Sequence, residues 1–466
     1  MAEPAYWQSY STLKPFGDEL GICDPRDGSF VGAIPIADPE QVAEFASAAR
    51  RALPGWRATP ISERCAMLRR IADAMMNAVD RLAEWNERET GRHASEAAEG
   101  IRAGASTLLQ YAEHAPLHRG NSLRGPMGAI DFDRREPRGV AALLTPWNDP
   151  VAVACGLIGA ALAEGNTVLY KPSERCPHTG ALLGELMEAV LPPDVLHTVI
   201  GGPRTGEELV AEADVVAHVG SSATGEKIAR LAALTGAHVV RENGGNDALI
   251  VDCGVDAAWA AGEIATGAFA NAGQICTSVE RVYLPADIAD DVIAALTADA
   301  AALNAEGALG PLVDETLRES VHGQVANAIE SGAVAVVGGR IPPGPGCYYP
   351  ATVLTGCTDQ MEIMREETFG PVAPIAVVED FDAALAAASL DRFGLAATVL
   401  TSDLGHALAA ADRLPVGTLK VNGVFGGAPG GSAQPRGASG SGFGYGPELL
   451  DELSTVKVVH IQGSTR

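Results

Sequence analysis

Beyond residue 139 the chain alternates short β-type runs with longer helical stretches, and few architectures accept that pattern. Apolar runs stand at 140–144, 167–170, 195–200, 215–219 and 239–240. Helical stretches lie between them, around 151–163, 178–190, 205–212 and 224–235. Strands joined through helices pair in parallel by right-handed crossovers, which puts helices on both faces of one sheet. Such a sheet binds ligands at the carboxyl ends of its strands. A second block follows, with a run at 248–251, a helix near 256–271, a strand near 279–284 and further alternation to about 422. The expected fold class is α/β.

Helical signals dominate the first hundred residues. Asp38, Pro39 and Glu40 mark a helix start, with a capping side chain, a proline in the first turn and an acid at the positive dipole end. Leu68, Ile71, Met75, Val79 and Leu82 recur at three- and four-residue steps, the stripe of helix packed on a core. Residues 423–446 hold ten glycines and read as a flexible loop. Residues 455–462 read as a terminal strand able to pair with another subunit.

Composition narrows the function classes. At 466 residues the chain has room for about two to four domains. Aromatics make up only 5 % of it, so the core rests on Ala, Val, Leu and Ile. A net charge of −26 repels phosphate backbones and anionic lipid surfaces, so neither nucleic acid nor membrane is an expected partner. The longest apolar run, 150–163, is 14 residues, short of the roughly 20 that span a bilayer. Eight cysteines (23, 65, 155, 176, 253, 276, 347, 357) form no C-x-x-C pair, so no disulfide scaffold or metal site is expected. The N-terminal residues lack the basic-then-apolar pattern of a secretory signal, and the cytoplasm is the expected compartment.

Six short segments could carry chemistry. In NAGQICTSVER (271–281), Cys276 follows a glycine turn and precedes a β-type run. A thiolate on a tight turn, with its own N–H free, is a nucleophile; the alternative is a small buried apolar residue. ENGG (242–245) puts Glu242 at a strand's carboxyl end, as a general base or as a solvated turn carboxylate. GSSATG (220–225) closes a strand and opens a helix, which suits a phosphate near helix N–H groups, but it is not a P-loop. KPSE (171–174) could bind a ribose or phosphate, or be a surface loop. In TPWNDP (145–150), Asn148 could donate to a developing oxyanion; alternatively Asn148 or Asp149 caps the helix that Pro150 starts. EETFGP (366–371) is a turn with paired acids.

Taken in order, these segments resemble the aldehyde dehydrogenase superfamily, whose pattern runs P-W-N-x-P, K-P-S-E, G-S-x-x-x-G, E-x-G-G, G-Q-x-C, E-E-x-F-G-P. The 34 residues from Glu242 to Cys276 match the family's separation of base and nucleophile. The resemblance runs from the helices near residue 40 to Val459. It implies a Rossmann-like NAD-binding domain (1–118 and 136–242), an α/β catalytic domain (243–435) and a small β oligomerisation extension (119–135 and 436–466). It implies a homodimer or homotetramer acting on a small-molecule aldehyde.

Roles carry over by position. Cys276 matches the nucleophile, Glu242 the base that activates water to hydrolyse the thioester, and Asn148 an oxyanion donor. Thr145, Pro146, Trp147, Lys171, Ser173, Glu174, Gly220, Ser221, Gly225, Gly244, Glu367 and Phe369 match cofactor contacts. An acid at 174 favours the free 2′-hydroxyl of NAD over the 2′-phosphate of NADP, which stays as the alternative. The implied reaction is oxidation of an aldehyde to the carboxylic acid. Alternatives on the same fold are a CoA-acylating dehydrogenase and a non-catalytic cofactor-binding member.

Departures fall around the substrate. Asn243 and Asn246 replace the family's usual Leu and Lys. Asp149 stands where an aromatic residue is common, and Gly156 is small, which together predict a wide, polar tunnel. Ile275 and Thr277 flank the sulfur. Arg102 matches an Arg that some relatives use for anionic aldehydes, but their second Arg is Ile275 here.

Overall fold

The computed structural model describes residues 15–16, 18–426, 432 and 434–462. Residues 427–431 and 433 of the glycine-rich stretch lie outside the described residues, as do 1–14, 17 and 463–466. A small antiparallel sheet, β1 (Pro15–Phe16), β2 (Glu19–Cys23) and β3 (Phe30–Pro35), precedes helices α1 (Pro39–Ala58), α2 (Ile61–Asn77), α3 (Val79–Thr90) and α4 (Ala94–His114). Helix α1 starts at the expected cap. Asp38 Oδ1 accepts from Gln41 N at 2.8 Å while Gln41 Oε1 accepts from Asp38 N at 3.0 Å, so each side chain satisfies the other residue's N–H. The apolar stripe belongs to two helices, since Ala78 separates α2 from α3. Leu68, Ile71, Met75 and Leu82 are buried in one core, with Val79 packed against it.

The chain next forms β4 (Ser122–Leu123) and β5 (Ala129–Pro137), then β6 (Val140–Leu144), α5 (Pro150–Glu164), β7 (Thr167–Lys171), α6 (Pro177–Glu188), β8 (Leu196–Thr198), α7 (Pro203–Glu212), β9 (Val215–Gly220), α8 (Ser222–Thr235) and β10 (His238–Asn243). These five strands from β6 onward pair in parallel in the order β10-β9-β6-β7-β8. The chain winds outward from β6 to β8, then returns to β9 on the other side. The direction therefore switches between β6 and β9, where a crevice opens at the carboxyl ends. Side chains alternate across the sheet. Ala141 and Leu143 join a core with α2 to α6; Val140, Ala142 and Leu144 join another with α1, α7 and α8.

A second parallel sheet follows: β11 (Asp247–Val251), α9 (Ala257–Phe269), β12 (Val279–Pro285), α10 (Ala289–Glu306), α11 (Glu315–Glu330), β13 (Val334–Val337), β14 (Thr352–Thr355), β15 (Val372–Val378), α12 (Phe381–Ala388), β16 (Phe393–Gly394), β17 (Ala396–Leu400), α13 (Leu404–Arg413) and β18 (Thr418–Val421). Its order is β13-β14-β15-β12-β11-β17-β18, parallel except for β13. Ala248 and Ile250 pack toward α11 to α13, Leu249 and Val251 toward α9 and α10.

The last segment reaches both α/β blocks and the β4–β5 extension. Strand β19 (Arg436–Gly437) pairs with β16, and β20 (Gly440–Ser441) adds antiparallel to β10. Helix α14 (Leu449–Glu452) buries Leu449 and Leu450 in the core under the first sheet. Strand β21 (Ser454–Gln462) then pairs antiparallel with β5 from Ser454↔Pro137 to Gln462↔Ala129. Residues 436–453, which the sequence grouped with the extension, thus lie against the two α/β sheets before β21 leaves them. Among the described residues no helix is long and apolar enough to cross a membrane.

One buried carboxylate ties the helical layer to this sheet. Glu89, at the end of α3, is 1 % exposed. It accepts from His178 N, His178 Nδ1 and Thr179 N at 2.8 Å each and from Thr179 Oγ1 at 2.6 Å, capping α6 from another helix. Glu89→Ala leaves these donors buried without partners, so unfolding in urea should show a loss of about 2–4 kcal/mol.

Candidate active site

Strands β10 and β11, one from each large sheet, are joined by Gly244, Gly245 and Asn246 alone. At about 3.3–3.6 Å per residue, so short a link holds the carboxyl end of β10 close to the amino end of β11. Glu242 sits at the first edge. Cys276 sits just before β12, which pairs with β11. Gly245 brings the two segments into contact: a Cβ there would lie 3.0 Å from the Cys276 carbonyl oxygen.

The turn before Cys276 is strained. Asn271, Ala272 and Gly273 hold φ at 48°, 54° and 75°, three left-handed residues in a row. Buried Gln274 fastens the turn. Its Nε2 donates to Asn271 O at 2.9 Å and to Pro311 O at 3.3 Å, and its Oε1 accepts from Val313 N at 2.9 Å. Asn148 reaches the same turn from the end of β6, its Nδ2 donating to Gln274 O at 3.1 Å. A second N–H of that amide is left for another acceptor. Among the described residues the Cys276 N–H donates to no protein acceptor.

Cys276 is half-buried. Burial above all, then the carboxylates of Glu242, Asp247 and Glu367, push its thiol up, with Lys420 pulling the other way. The resting sulfur is therefore a thiol. Burial also pushes the Glu242 carboxyl up, which makes it a stronger base once ionised. Glu367 sits against Gly244, where a Cβ would lie 2.1 Å from its carboxylate oxygens, and it accepts from Gly245 N at 3.2 Å. Burial holds its carboxyl up at about 7. Phe369, with φ at 54°, places its ring 5.6 Å from that of Trp147, edge to face.

The crevice between β6 and β9 is a groove of about 200 Å³. Thr145, Pro146 and Trp147 enter it from β6, Lys171, Ser173 and Glu174 from β7, and Gly220 and Ser221 from β9. Ser221 caps α8, its Oγ accepting from Thr224 N at 3.3 Å, so the positive end of that helix faces the groove. Gly206 on α7 keeps the groove open; a Cβ there would lie 3.0 Å from Leu144 Cδ2. Lys171 Nζ lies 3.3 Å from Glu174 Oε2. Burial pushes the Glu174 carboxyl up, but Lys171, the Glu174 N–H and Arg175 together more than offset this and hold it below the usual range. Gly225 is buried behind this edge, where a Cβ would lie 2.2 Å from Asn243 Oδ1.

The aldehyde dehydrogenase family model matches residues 14–459. The chain belongs to the aldehyde dehydrogenase family. It is an NAD(P)-dependent enzyme of that class. It is 33 % identical over 419 residues to the vanillin dehydrogenase of an Amycolatopsis species, covering 87 % of this chain and 85 % of that one. It is 32 % identical over 459 residues to the NAD(+) benzaldehyde dehydrogenase of Pseudomonas putida, covering 94 % and 92 %. The crystal structure of an NAD-dependent aldehyde dehydrogenase from Sinorhizobium meliloti superposes with a TM-score of 0.91 at 32 % identity, over 96 % of this chain and 92 % of that one. That of a Staphylococcus aureus betaine aldehyde dehydrogenase in complex with NAD+ gives 0.93 at 27 % identity, over 96 % and 93 %.

Around this enzyme's substrate side the structure departs from the sequence reading. Asp149 occupies the N-cap position of α5 without capping it. Its carboxylate pairs with Arg92 at 3.0 Å and packs on Gly100, where a Cβ would lie 2.5 Å from Oδ1. The space at Gly156 is not open either. The Tyr445 ring covers it at 3.5 Å from the Cβ position, with Tyr445 Oη 2.9 Å from Thr107 Oγ1. Asp149 is thus ion-paired, and Gly156 faces an aromatic ring. Arg102 is exposed on α4. Ile275 and Thr277 flank the sulfur, both half-buried.

Glu280 also escaped the sequence reading. From β12 it accepts from Thr368 N at 2.5 Å and Phe369 N at 2.9 Å, fixing the 366–371 turn. A lone acid inside the β-type run after Cys276 was the available signal. Gly273 is the tightest point of the cysteine turn, since a Cβ there would lie 2.1 Å from the Gly370 carbonyl oxygen. Gly273→Ala should lower kcat/KM about 100-fold through a displaced sulfur, while melting remains cooperative. Steady-state kinetics and the rate of thiol labelling at Cys276 check this.

Proposed function

We propose that the enzyme oxidises an uncharged aldehyde to its carboxylic acid with NAD as hydride acceptor, through a thioester on Cys276. The observation that carries this is the shared turn: Asn148 and the free Cys276 N–H beside the sulfur, with Glu242 across the Gly244–Gly245 link.

The groove fits a dinucleotide in the chemistry of its lining. The α8 N-terminus suits a pyrophosphate, and Lys171 and Glu174 suit an adenosine ribose. Glu174 accepts from a 2′-hydroxyl and repels a 2′-phosphate, which favours NAD over NADP. Gly244, Glu367 and Phe369 suit the nicotinamide ribose and ring. When bound, NAD takes up the hydride. The Cys276 thiol gives its proton to solvent as its sulfur bonds to the aldehyde carbon, and the second Asn148 N–H and the Cys276 N–H stabilise the oxygen. Loss of hydride leaves a thioester on Cys276. Glu242 then takes a proton from the water that attacks the thioester carbon, the C–S bond breaks, and the sulfur leaves as thiolate.

An uncharged substrate is supported by the cations near the site. Arg92 is paired with Asp149, Arg102 is exposed, and Lys420 is balanced by the Asp247 carboxylate beside it. The same reading keeps the domain limits given above and makes β21 a pairing strand for a second copy, since Ile130, Val456, Val458 and Ile461 are exposed on this extension.

Glu242→Gln should give a burst of about one reduced cofactor per site followed by little turnover, whereas Cys276→Ala should give no burst. Asn148→Ala should slow the burst itself about 100- to 1,000-fold. The wild-type rate should fall on acidification with a midpoint above the usual glutamate value of about 4.3, since the raised Glu242 pKa takes the base out earlier. Steady turnover by Glu242→Gln at the wild-type rate overturns the base assignment.

A further inference from the structure

The strand that carries Glu242 is held from outside by the C-terminal segment. Strand β20 pairs with β10 at Arg241↔Ser441 and Glu242↔Gly440, and Asn243 N donates to Ser439 O at 2.9 Å. Beyond β20 the chain turns back over the Glu242 side chain. At Gly444 a Cβ would lie 2.2 Å from Glu242 Oε2 and 3.0 Å from its Cβ and Cδ. No other residue type fits there without moving the carboxylate.

Three contacts secure this turn: Tyr445 Oη lies 2.9 Å from Thr107 Oγ1, Tyr111 Oη donates to Gly446 O at 3.2 Å, and Glu452 holds the residue before Gly444. Glu452, the last residue of α14, accepts from Phe443 N through Oε1 at 3.1 Å. Its Oε2 lies 2.6 Å from His238 Nε2, at the opposite end of β10 from Glu242. Its own position is fixed by buried Leu449, Leu450 and Leu453 and by Arg138 Nε, which donates to Glu452 O at 2.5 Å. The hydrogen bond to His238, foremost, keeps the Glu452 carboxyl below the usual range, so it is ionised.

We infer that Glu452 is a positioning residue for deacylation: by holding Phe443 over one end of β10 and His238 at the other, it seats Gly444 on Glu242 and sets the direction of the base. This rests on Glu242 being the base that activates water. Glu452 touches no reacting atom, so its loss should act on the second half of the reaction alone. A group that merely stabilised the fold would lower both halves together.

The test is rapid-mixing kinetics with NAD and an aldehyde substrate on the full-length enzyme. Glu452→Ala should keep the rate and amplitude of the reduced-cofactor burst and slow the following turnover about 10- to 100-fold. Glu452→Gln, whose amide oxygen still accepts from Phe443 N, should recover most of that turnover. Gly444→Ala leaves every Glu452 bond in place and should give the same burst with slow turnover, so it serves even if Glu452→Ala fails to fold. Equal losses in burst and turnover for the folded variants, unchanged turnover in folded Glu452→Ala, or unchanged turnover in Gly444→Ala overturn the inference. Glu242→Gln run alongside separates the two readings. A burst there with none of the expected effect at 452 and 444 removes only the positioning role, while steady turnover there removes the base itself.

Discussion

Gly244, Gly245 and Asn246 carry the chain from one parallel sheet to the next, and the site's geometry follows from how little room they take. Each glycine faces a group that a side chain would displace: the Glu367 carboxylate at 244, the Cys276 carbonyl at 245. The link therefore brings the carboxyl edge of one sheet against the amino edge of the other. An acid at the first edge and a thiol at the second meet without either sitting on a long flexible loop. Strands fix their positions, and the strained turn at 271–273 aims the sulfur.

The same closeness gathers four acids, Asp247 and Glu280 buried and Glu242 and Glu367 half-buried. Burial pushes all four carboxyls up, Asp247 to about 8 and Glu367 to about 7. Three of them accept backbone N–H groups: Asp247 from Ala396, Glu280 from Thr368 and Phe369, Glu367 from Gly245. Those bonds fasten turns. Among the described residues Glu242 accepts no such bond. Division of labour among like residues thus follows from which carboxylates backbone donors already occupy.

Strand and helix placement was legible because it depends on local pattern. The run at 140–144 alternates faces as a doubly covered strand must, and Asp38 caps the helix that Pro39 and Glu40 mark. The site segments were legible because each pairs a turn glycine with a reactive side chain. What the sequence hid lies in long-range packing. Asp149 reads as a tunnel residue until Arg92, more than fifty positions earlier, is seen paired with it. Gly156 reads as open space until Tyr445 is seen lying on it. In each case one partner sits in a segment whose local pattern is uninformative, 91–93 between helices or the glycine-rich stretch before α14. Only the fold says what those residues face.

The extension sheet ties the two sides of the site together. Strand β5 runs into β6 through Arg138 and Gly139, and β6 ends one turn before Asn148. Strand β21, paired with β5 along its whole length, begins two residues after Glu452. Arg138 closes the junction, bonding Glu452 O through Nε and Leu453 O through its N–H at 3.4 Å, while Asn166 bonds Leu453 O at 2.9 Å and Gly139 N at 3.0 Å. The donor that would hold the oxyanion and the turn that covers the base therefore grow from the same two paired strands. A ladder of nine residue pairs resists sliding, because a one-residue slip would turn every side chain to the wrong face. The part of the chain that looks most peripheral thus sets the register between the two halves of the chemistry.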